Sequence, residues 1–170
     1  MATFASETSV SPERSRAEVE RTLRKYGAEK YMYGQDQDRA IICFEMKGRR
    51  IRFDLPMPDK SERRFTHTPG GTRRSPGPAL EAWEKGCRQR WRALAAGIKM
   101  KLEFIESGIT EFDSEFLSHI VLPDQRTVGQ WMIPQVEEVY ATGDMPEMLP
   151  GSGQRALAGT AIDAECREVG

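Results

Sequence analysis

A long run of apolar residues at helical spacing is the feature that most constrains this fold. The run extends from Pro78 to Ser107, and its members recur at steps of three and four residues. A helix with this pattern is roughly 45 Å long and gathers its apolar residues on about a third of its circumference. Other elements must cover this stripe, or its end must pair with a second copy in a homo-oligomer. The apolar residues are Leu80, Trp83, Cys87, Trp91, Leu94, Ile98, Leu102 and Ile105.

The segment before this helix predicts a small antiparallel sheet. Lys30–Tyr33 reads as a first short strand, and Ala40–Leu55 indicates a hairpin that turns at Lys47 and Gly48. This turn pairs apolar residues on one face, which predicts the core face, and polar residues on the other. The apolar pairs are Ile42 with Phe53 and Phe44 with Ile51, and the polar pairs are Cys43 with Arg52 and Glu45 with Arg50.

Helices before and after these elements complete the predicted fold. Ser11 and Pro12 are typical of a helix start, and Gly27 is typical of a helix end. Sequences that resemble capping boxes begin at Thr110 and Thr127 and predict two short C-terminal helices. The predicted class is therefore α+β: a small antiparallel sheet of about three strands packed on the long helix, with an N-terminal helix and short C-terminal helices.

Composition predicts one domain with two flexible ends. We expect a single α+β domain over residues 11–143, a flexible N-terminus over residues 1–10 and a disordered acidic tail over residues 144–170. Residues 59–78 predict a long basic loop, since they are rich in Gly, Pro, Ser and Thr and contain two Arg-Arg pairs. No apolar run is long enough to cross a membrane and no signal sequence is visible, so we expect a cytoplasmic location.

Positive and negative charges are sorted along the chain. Residues 47–101 contain 15 Lys/Arg and 5 Asp/Glu, whereas residues 102–170 contain 3 Lys/Arg and 13 Asp/Glu. Three cysteines without metal-ligand spacing and two histidines predict neither a disulfide framework nor a zinc site. A basic surface needs a polyanionic partner or the acidic half of its own chain.

Nucleic acid is the leading candidate for that partner. Guanidinium groups bind phosphate oxygens in bidentate fashion, and aromatic side chains such as Tyr31, Tyr33 or Phe65 would stack on bases and favour single strands. If the basic loop links the sheet to the long helix, its arginines and the basic stripe of that helix converge on one side. The predicted phosphate contacts are Arg50, Arg52, Arg63, Arg64, Arg73, Arg74, Lys85, Arg88, Arg92 and Lys99.

A magnesium-dependent nuclease is one alternative. Glu45 and Lys47 follow a predicted strand in the spacing of the acid-x-lysine element of restriction-like nucleases, whose acids hold Mg²⁺ and whose lysine positions the attacking water. The same glutamate lies opposite an arginine in the predicted hairpin, which equally fits an ordinary ion pair. The candidate upstream acids are Asp36 and Asp38, with Glu18 and Glu20 from the first helix.

A protein partner is the other alternative, with the chain acting as an inhibitor or adaptor of a host defence or replication protein. Its acidic residues would then imitate the phosphates of a nucleic acid. We assign no catalytic residue and no cofactor. The candidate acidic residues are Glu103, Glu106, Glu111, Asp113 and Glu115.

Several segments resemble a family of small uncharacterised proteins encoded by tailed phages and prophages. The resemblance covers roughly residues 10–150. It implies a bacterial host cytoplasm and a phage accessory role, and it assigns no functional residues because the family has no established activity. From this resemblance together with the basic surface, we expect a non-enzymatic accessory factor of phage DNA metabolism that binds DNA. The segments that carry it are Ser15–Glu18, Leu23–Ala28, Arg50–Phe53, Arg90–Leu94, Glu115–Leu117 and Ile120–Asp124.

Overall fold

A computed structural model of the protein describes residue 5, residues 8–36 and residues 38–145. The chain divides into two compact units, residues 1–132 and residues 133–170. The expectation of one domain over residues 11–143 stays a prediction. The predicted flexible N-terminus lies mostly outside the described residues, and so does all but the first two residues of the predicted acidic tail. None of the described helices combines the length and the apolar character that crossing a membrane requires.

The predicted α+β class is confirmed. Three strands form one antiparallel sheet in the order β1-β2-β3, and the helices precede and follow it in the chain. A 3-10 helix, Leu117–His119, follows α4 directly. The elements are α1 Pro12–Lys25, β1 Lys30–Gln35, β2 Arg39–Met46, β3 Arg49–Pro56, α2 Arg63–Thr66, α3 Pro76–Glu106, α4 Phe112–Phe116 and α5 Val128–Thr142.

The predicted hairpin register is confirmed at every pair. Ile42 lies opposite Phe53 and Cys43 lies opposite Arg52. Positive φ angles of 50° at Lys47 and 71° at Gly48 give the tight turn that this register needs. Because side chains alternate along a strand, this register sends the apolar pairs to one face and the arginines to the other.

The core forms where the apolar face of the sheet meets α3. Trp91 is fully buried, and it packs in one cluster with Ile42, Phe44 and Ile51 from the sheet. Helix α1 closes one side of this core through buried residues including Leu23. The sheet therefore has a covered inner face and a separate outer face.

The structure settles which face of β1 carries the two tyrosines. Tyr31 lies opposite Phe44 and Tyr33 lies opposite Ile42, so both tyrosines lie on the inner face. The ring of Tyr33 is 5.7 Å from the ring of Trp91, and the Arg16 guanidinium lies 4.4 Å from the Tyr33 ring centre. The prediction that these tyrosines stack on bases has no support, because they complete the core.

Helix α3 begins two residues earlier than predicted and ends as predicted. Gly108, at φ 73°, ends it in a Schellman motif, in which the N–H of Ile109 donates to the carbonyl of Phe104 at 2.9 Å. The first turn departs from the predicted stripe, since Leu80 is 46% exposed. The buried residues of α3 are Cys87, Trp91, Ala95, Ile98 and Leu102, and the last four belong to the core cluster with the sheet and α1.

Residues 59–78 are more ordered than the predicted long loop. They contain the single helical turn α2 and a β-bridge between His67 and Arg73, and their last residues already belong to α3. Phe65 anchors this segment: it is buried, and its ring lies beside Gly86 of α3. The expectation that Phe65 stacks on bases is therefore wrong, because burial makes this ring a packing residue.

The predicted helix caps are right in two cases and wrong in one. The Ser11 hydroxyl accepts from the N–H of Arg14 at 3.3 Å, and Thr127 and Gln130 exchange the two hydrogen bonds of a capping box at 3.1 and 3.0 Å. Helix α4 is capped instead at Glu111, whose side chain makes no capping hydrogen bond, so Thr110 does not begin it.

Replacement of two glycines of α3 by alanine should change the stability of the protein in opposite directions. A Cβ at Gly97 meets nothing within 4 Å, so Gly97→Ala should raise the free energy of unfolding by about 1 kcal/mol through helix propensity. A Cβ at Gly86 would lie 2.8 Å from the buried Phe65 ring, so Gly86→Ala should lower it by about 1 kcal/mol despite the same propensity gain. Urea unfolding of both variants checks this, and equal shifts of the two midpoints would contradict the packing of Phe65.

We expect mild acidification to destabilise the protein through the partly buried imidazole of His119. Its ring stacks on Phe53 at 4.0 Å between ring centres, and burial, with a smaller effect of Lys101, lowers the pKa of His119. The unfolded chain therefore binds this proton more readily, and stability falls as the pH drops through about 6.5 towards the lowered folded-state pKa. Urea midpoints measured from about pH 7.5 to about 5.5 should fall less for His119→Phe than for the wild type. Parallel curves would assign the pH dependence to another group.

Candidate functional site

The predicted phosphate contacts lie on three separate surfaces and do not converge. Arg50 and Arg52 alternate with inner-face residues, so they project from the outer face of the sheet, away from α3. The segment around α2 packs against α3 on the side of Gly86. Arg92 and Lys99 lie on the side of α3 that faces α1, roughly a third of the helix circumference away from Gly86.

Arg52 is a structural residue. Its guanidinium donates to Asp54 at 3.2 Å, to the carbonyl of Gln125 at 2.8 Å and to the side chain of Gln130 at 2.7 Å. It is only 19% exposed. These bonds tie β3 to the segment that leads into α5, so they leave little of the guanidinium for a phosphate.

Glu45 has two cationic neighbours, and this arrangement gives the nuclease alternative no support. Its carboxylate accepts from Lys30 at 2.5 Å and from Arg50 at 3.1 Å, and these bonds lower the pKa of Glu45. Asp36 and Asp38 lie at the opposite end of β2, about 20 Å away along the strand. Of the helix-one candidates, Glu18 pairs with Arg92 and Glu20 with Arg24.

Within the described ranges, no group of three or more His, Cys, Asp and Glu side chains has a geometry that holds a metal ion. Cys43 and Cys87 are both buried, and burial raises the pKa of each thiol. Neither is thereby activated as a nucleophile.

In each Arg-Arg pair of residues 59–78, one arginine bonds to neighbouring residues of the same segment. Arg64 pairs with Glu62 at 2.7 Å, and Arg74 donates to the carbonyls of Arg64 and Phe65 at 3.5 and 3.4 Å. Arg63 and Arg73 are exposed. Each pair therefore offers one side chain to solvent and uses the other to hold the segment together.

The basic stripe of α3 is divided by its neighbours. Lys85 and Arg88 lie in its first half, where Arg88 approaches Glu84 at 4.0 Å. Arg92 pairs with Glu18 of α1, and Lys99, two turns further along α3, is exposed. The second half of the stripe therefore faces another cationic element.

That element is α1, and the two helices enclose a basic groove with a volume of about 820 Å³. We call it the α1–α3 groove. Its lining holds five cations and two acids, an excess of three positive charges. The cations are Arg14, Arg21 and Lys25 from α1 and Arg92 and Lys99 from α3.

Both acids of the α1–α3 groove already have partners. Glu18 accepts from Arg92, and Glu103 accepts from the hydroxyl of Tyr26, a bond that raises the pKa of Tyr26 to about 12. In the described part of the chain, Arg14, Arg21 and Lys99 have no carboxylate within ion-pair distance. The positive charge of the groove is therefore available to a ligand.

Sequence reasoning missed the contribution of α1. Arg14, Arg21 and Lys25 are spaced by seven and four residues, which places them on one helix face within about 40°. This pattern is visible in the sequence, but the nearly balanced charge of the first segment hides it. Only the packing of α1 beside α3 shows that this face meets Arg92 and Lys99.

Three of the five acidic residues proposed for a protein partner already have partners within the protein. Asp113 pairs with Arg49 at 3.2 Å, Glu115 pairs with Lys101 at 2.7 Å, and Glu103 holds Tyr26. Part of the acidic half therefore neutralises cations of the basic half.

Comparison with family models, with curated proteins and with solved structures gives no significant match. The resemblance to a phage-encoded family therefore stays a prediction from sequence.

The two arginines of the outer sheet face predict different stability effects. Arg52→Ala should lower the free energy of unfolding by about 2 kcal/mol, because it leaves charge-assisted hydrogen bonds to three groups unmade. Arg50→Ala should cost less than about 1 kcal/mol, because its ion pair is exposed to solvent. Urea unfolding of the two variants checks the order, and a larger loss for Arg50→Ala would reverse our assignment of Arg52.

Proposed function

We propose that this protein binds nucleic acid through the α1–α3 groove, as a non-enzymatic accessory protein that holds the phosphate backbone. The observation that carries the proposal is the pair of cation rows that face each other across one groove whose acids are already paired. A neutral or cationic ligand has no comparable reason to enter this groove.

The dimensions of the groove fit a phosphate backbone. From Arg14 to Lys25, α1 rises about 16 Å, a length over which one strand of B-form DNA presents roughly five phosphates. Arg92 and Lys99 are two turns, or about 10 Å, apart on α3 and line the same groove. Arginine supplies two parallel donors to a phosphate, so the arginines of both rows favour this ligand over a single point charge.

The proposal differs from the sequence-based expectation in its view of strand preference. Preference for single strands rested on Tyr31, Tyr33 and Phe65, which all pack inside the protein. Tyr26 lines the α1–α3 groove, but its hydroxyl is bonded to Glu103. Phosphate contacts carry no sequence information, so we expect binding to duplex and single strand with little sequence preference.

Removal of the unpaired groove cations should flatten the salt dependence of binding. We expect the triple variant Arg14→Ala, Arg21→Ala, Lys99→Ala to reduce the slope of log K against log salt by about 2 to 3 for duplex DNA, because each lost phosphate contact removes about 0.9. Fluorescence anisotropy with a short labelled duplex and its single strand measures the slope.

A second triple variant, Lys60→Ala, Arg63→Ala, Arg73→Ala, removes the same charge from the segment around α2 and is the matched control. Its slope should stay close to that of the wild type. An equal change in both variants would indicate a delocalised charge effect and would reject the groove as the site. Absence of wild-type binding at low salt would reject the function itself.

A further inference from the structure

The outer face of the sheet carries a second groove that is separate from the α1–α3 groove. Its volume is about 600 Å³, within the range of about 300–1,000 Å³ that small-molecule sites occupy. All three strands line it, and Val121 and Gln125 complete it from the segment between the 3-10 helix and α5. We call it the outer-sheet groove.

The register of the sheet gives this groove an apolar floor. Met32, Cys43 and Arg52 form one row across the three strands, and the adjacent row places Ile41 beside Gly34. No atom lies within 4 Å of where a Cβ on Gly34 would stand, so the floor is open beside Ile41. Met32 is 63% exposed, although solvent-facing positions of an antiparallel sheet are usually polar. The floor therefore combines an exposed Met32 with a partly buried Ile41 and a buried Cys43.

A charged row borders the apolar floor on its other side. Lys30, Glu45 and Arg50 lie in register, and the glutamate is shared between the two cations. Arg50 uses Nε and Nη2 on Glu45 and makes no hydrogen bond through Nη1 to any described residue. The row thus keeps one net positive charge and spare donors at the edge of an apolar surface.

The wall of the groove is held in place before any ligand binds. The N–H of Val121 donates to the carbonyl of Arg50 at 2.8 Å. Arg52, fixed by its bonds to Gln125 and Gln130, supports the same wall. A site that is already formed loses little conformational freedom on binding, which favours affinity for a small ligand.

We propose that the outer-sheet groove binds a small amphipathic anion, an apolar molecule with one carboxylate or sulfonate group. The apolar body lies on Met32, Ile41 and Cys43, and the anionic group accepts hydrogen bonds from Arg50 and Lys30. Charge complementarity selects an anion, because Lys30 and Arg50 share the single carboxylate of the lining and keep one net positive charge, while Arg52 is paired with Asp54 outside the lining. This site is independent of the nucleic-acid proposal and shares no residue with the α1–α3 groove.

Two dyes of nearly equal shape test the site. The probes are anilinonaphthalene sulfonate, which is anionic, and the uncharged phenylnaphthylamine, each titrated into the full chain with fluorescence detection. The wild type should bind the anionic dye saturably with one site and about tenfold more tightly than the uncharged dye. In the wild type, the bound anionic dye should shift the amide NMR signals of Met32, Cys43 and Val121, a readout that needs no variant.

Matched variants separate the apolar and the anionic parts of the site. Met32→Glu should weaken both dyes at least about tenfold, whereas Met100→Glu, at a methionine that is 54% exposed on α3, should leave both unchanged. Arg50→Met should weaken only the anionic dye, and its neighbour Arg49→Met should weaken neither. The triple variant of the α1–α3 groove should keep dye binding.

Three results would overturn the proposal. They are an absence of saturable binding, equal effects of Met32→Glu and Met100→Glu, and amide shifts confined to residues outside the outer-sheet groove. Equal loss of both dyes in Arg50→Met would reject the anion as the ligand class. Loss of dye binding only in the triple variant would relocate the dye to the α1–α3 groove.

Discussion

The contact between Trp91 and the inner face of the sheet is the interaction on which the other elements depend. A three-stranded sheet is marginal by itself, and a long amphipathic helix is marginal without a partner for its stripe. Trp91 lies at the middle of α3 and packs in one cluster with residues of β2 and β3, while Tyr33 and Arg16 close the edge of the same contact. Truncation of a buried tryptophan typically costs about 3–5 kcal/mol, which is a large part of the stability of a domain of this size.

This contact also determines where the charges lie. Since the sheet buries one face against α3, its arginines project from the other face. The elements α2 and α1 pack on different sides of α3, so the basic residues of the loop and those beside α1 do not meet. The outcome is several moderately basic surfaces in place of a single strongly basic one. Intramolecular pairs such as Arg49 with Asp113 and Lys101 with Glu115 then neutralise part of the charge that is sorted along the sequence.

The two grooves differ in the chemistry that they offer. The α1–α3 groove is lined by cations from both helices, and its unpaired cations favour a polyanion that follows both helices. The outer-sheet groove is short and has an apolar floor with charges at one edge, which favours a single small molecule. Arg50 and Arg52 are two residues apart on the same face of β3, but they have different roles. Arg52 is enclosed by hydrogen-bond acceptors, whereas Arg50 keeps a free donor.

The sequence by itself determined the local features of this protein, because each depends on residues that are near one another in the chain. The hairpin register follows from the alternation of apolar and polar residues about Lys47 and Gly48. The ends of α3 follow from Pro76 and Gly108, although the predicted start was two residues late. The Thr127 capping box follows from a spacing of three residues. Tertiary structure decided the rest. The burial of Tyr31, Tyr33 and Phe65, the structural role of Arg52, and the meeting of Arg14 and Arg21 with Lys99 all depend on which elements pack side by side. Packing joins residues that are distant in sequence and decides which cations find an acceptor inside the protein, so a count of charges along the chain does not locate the surfaces that remain free.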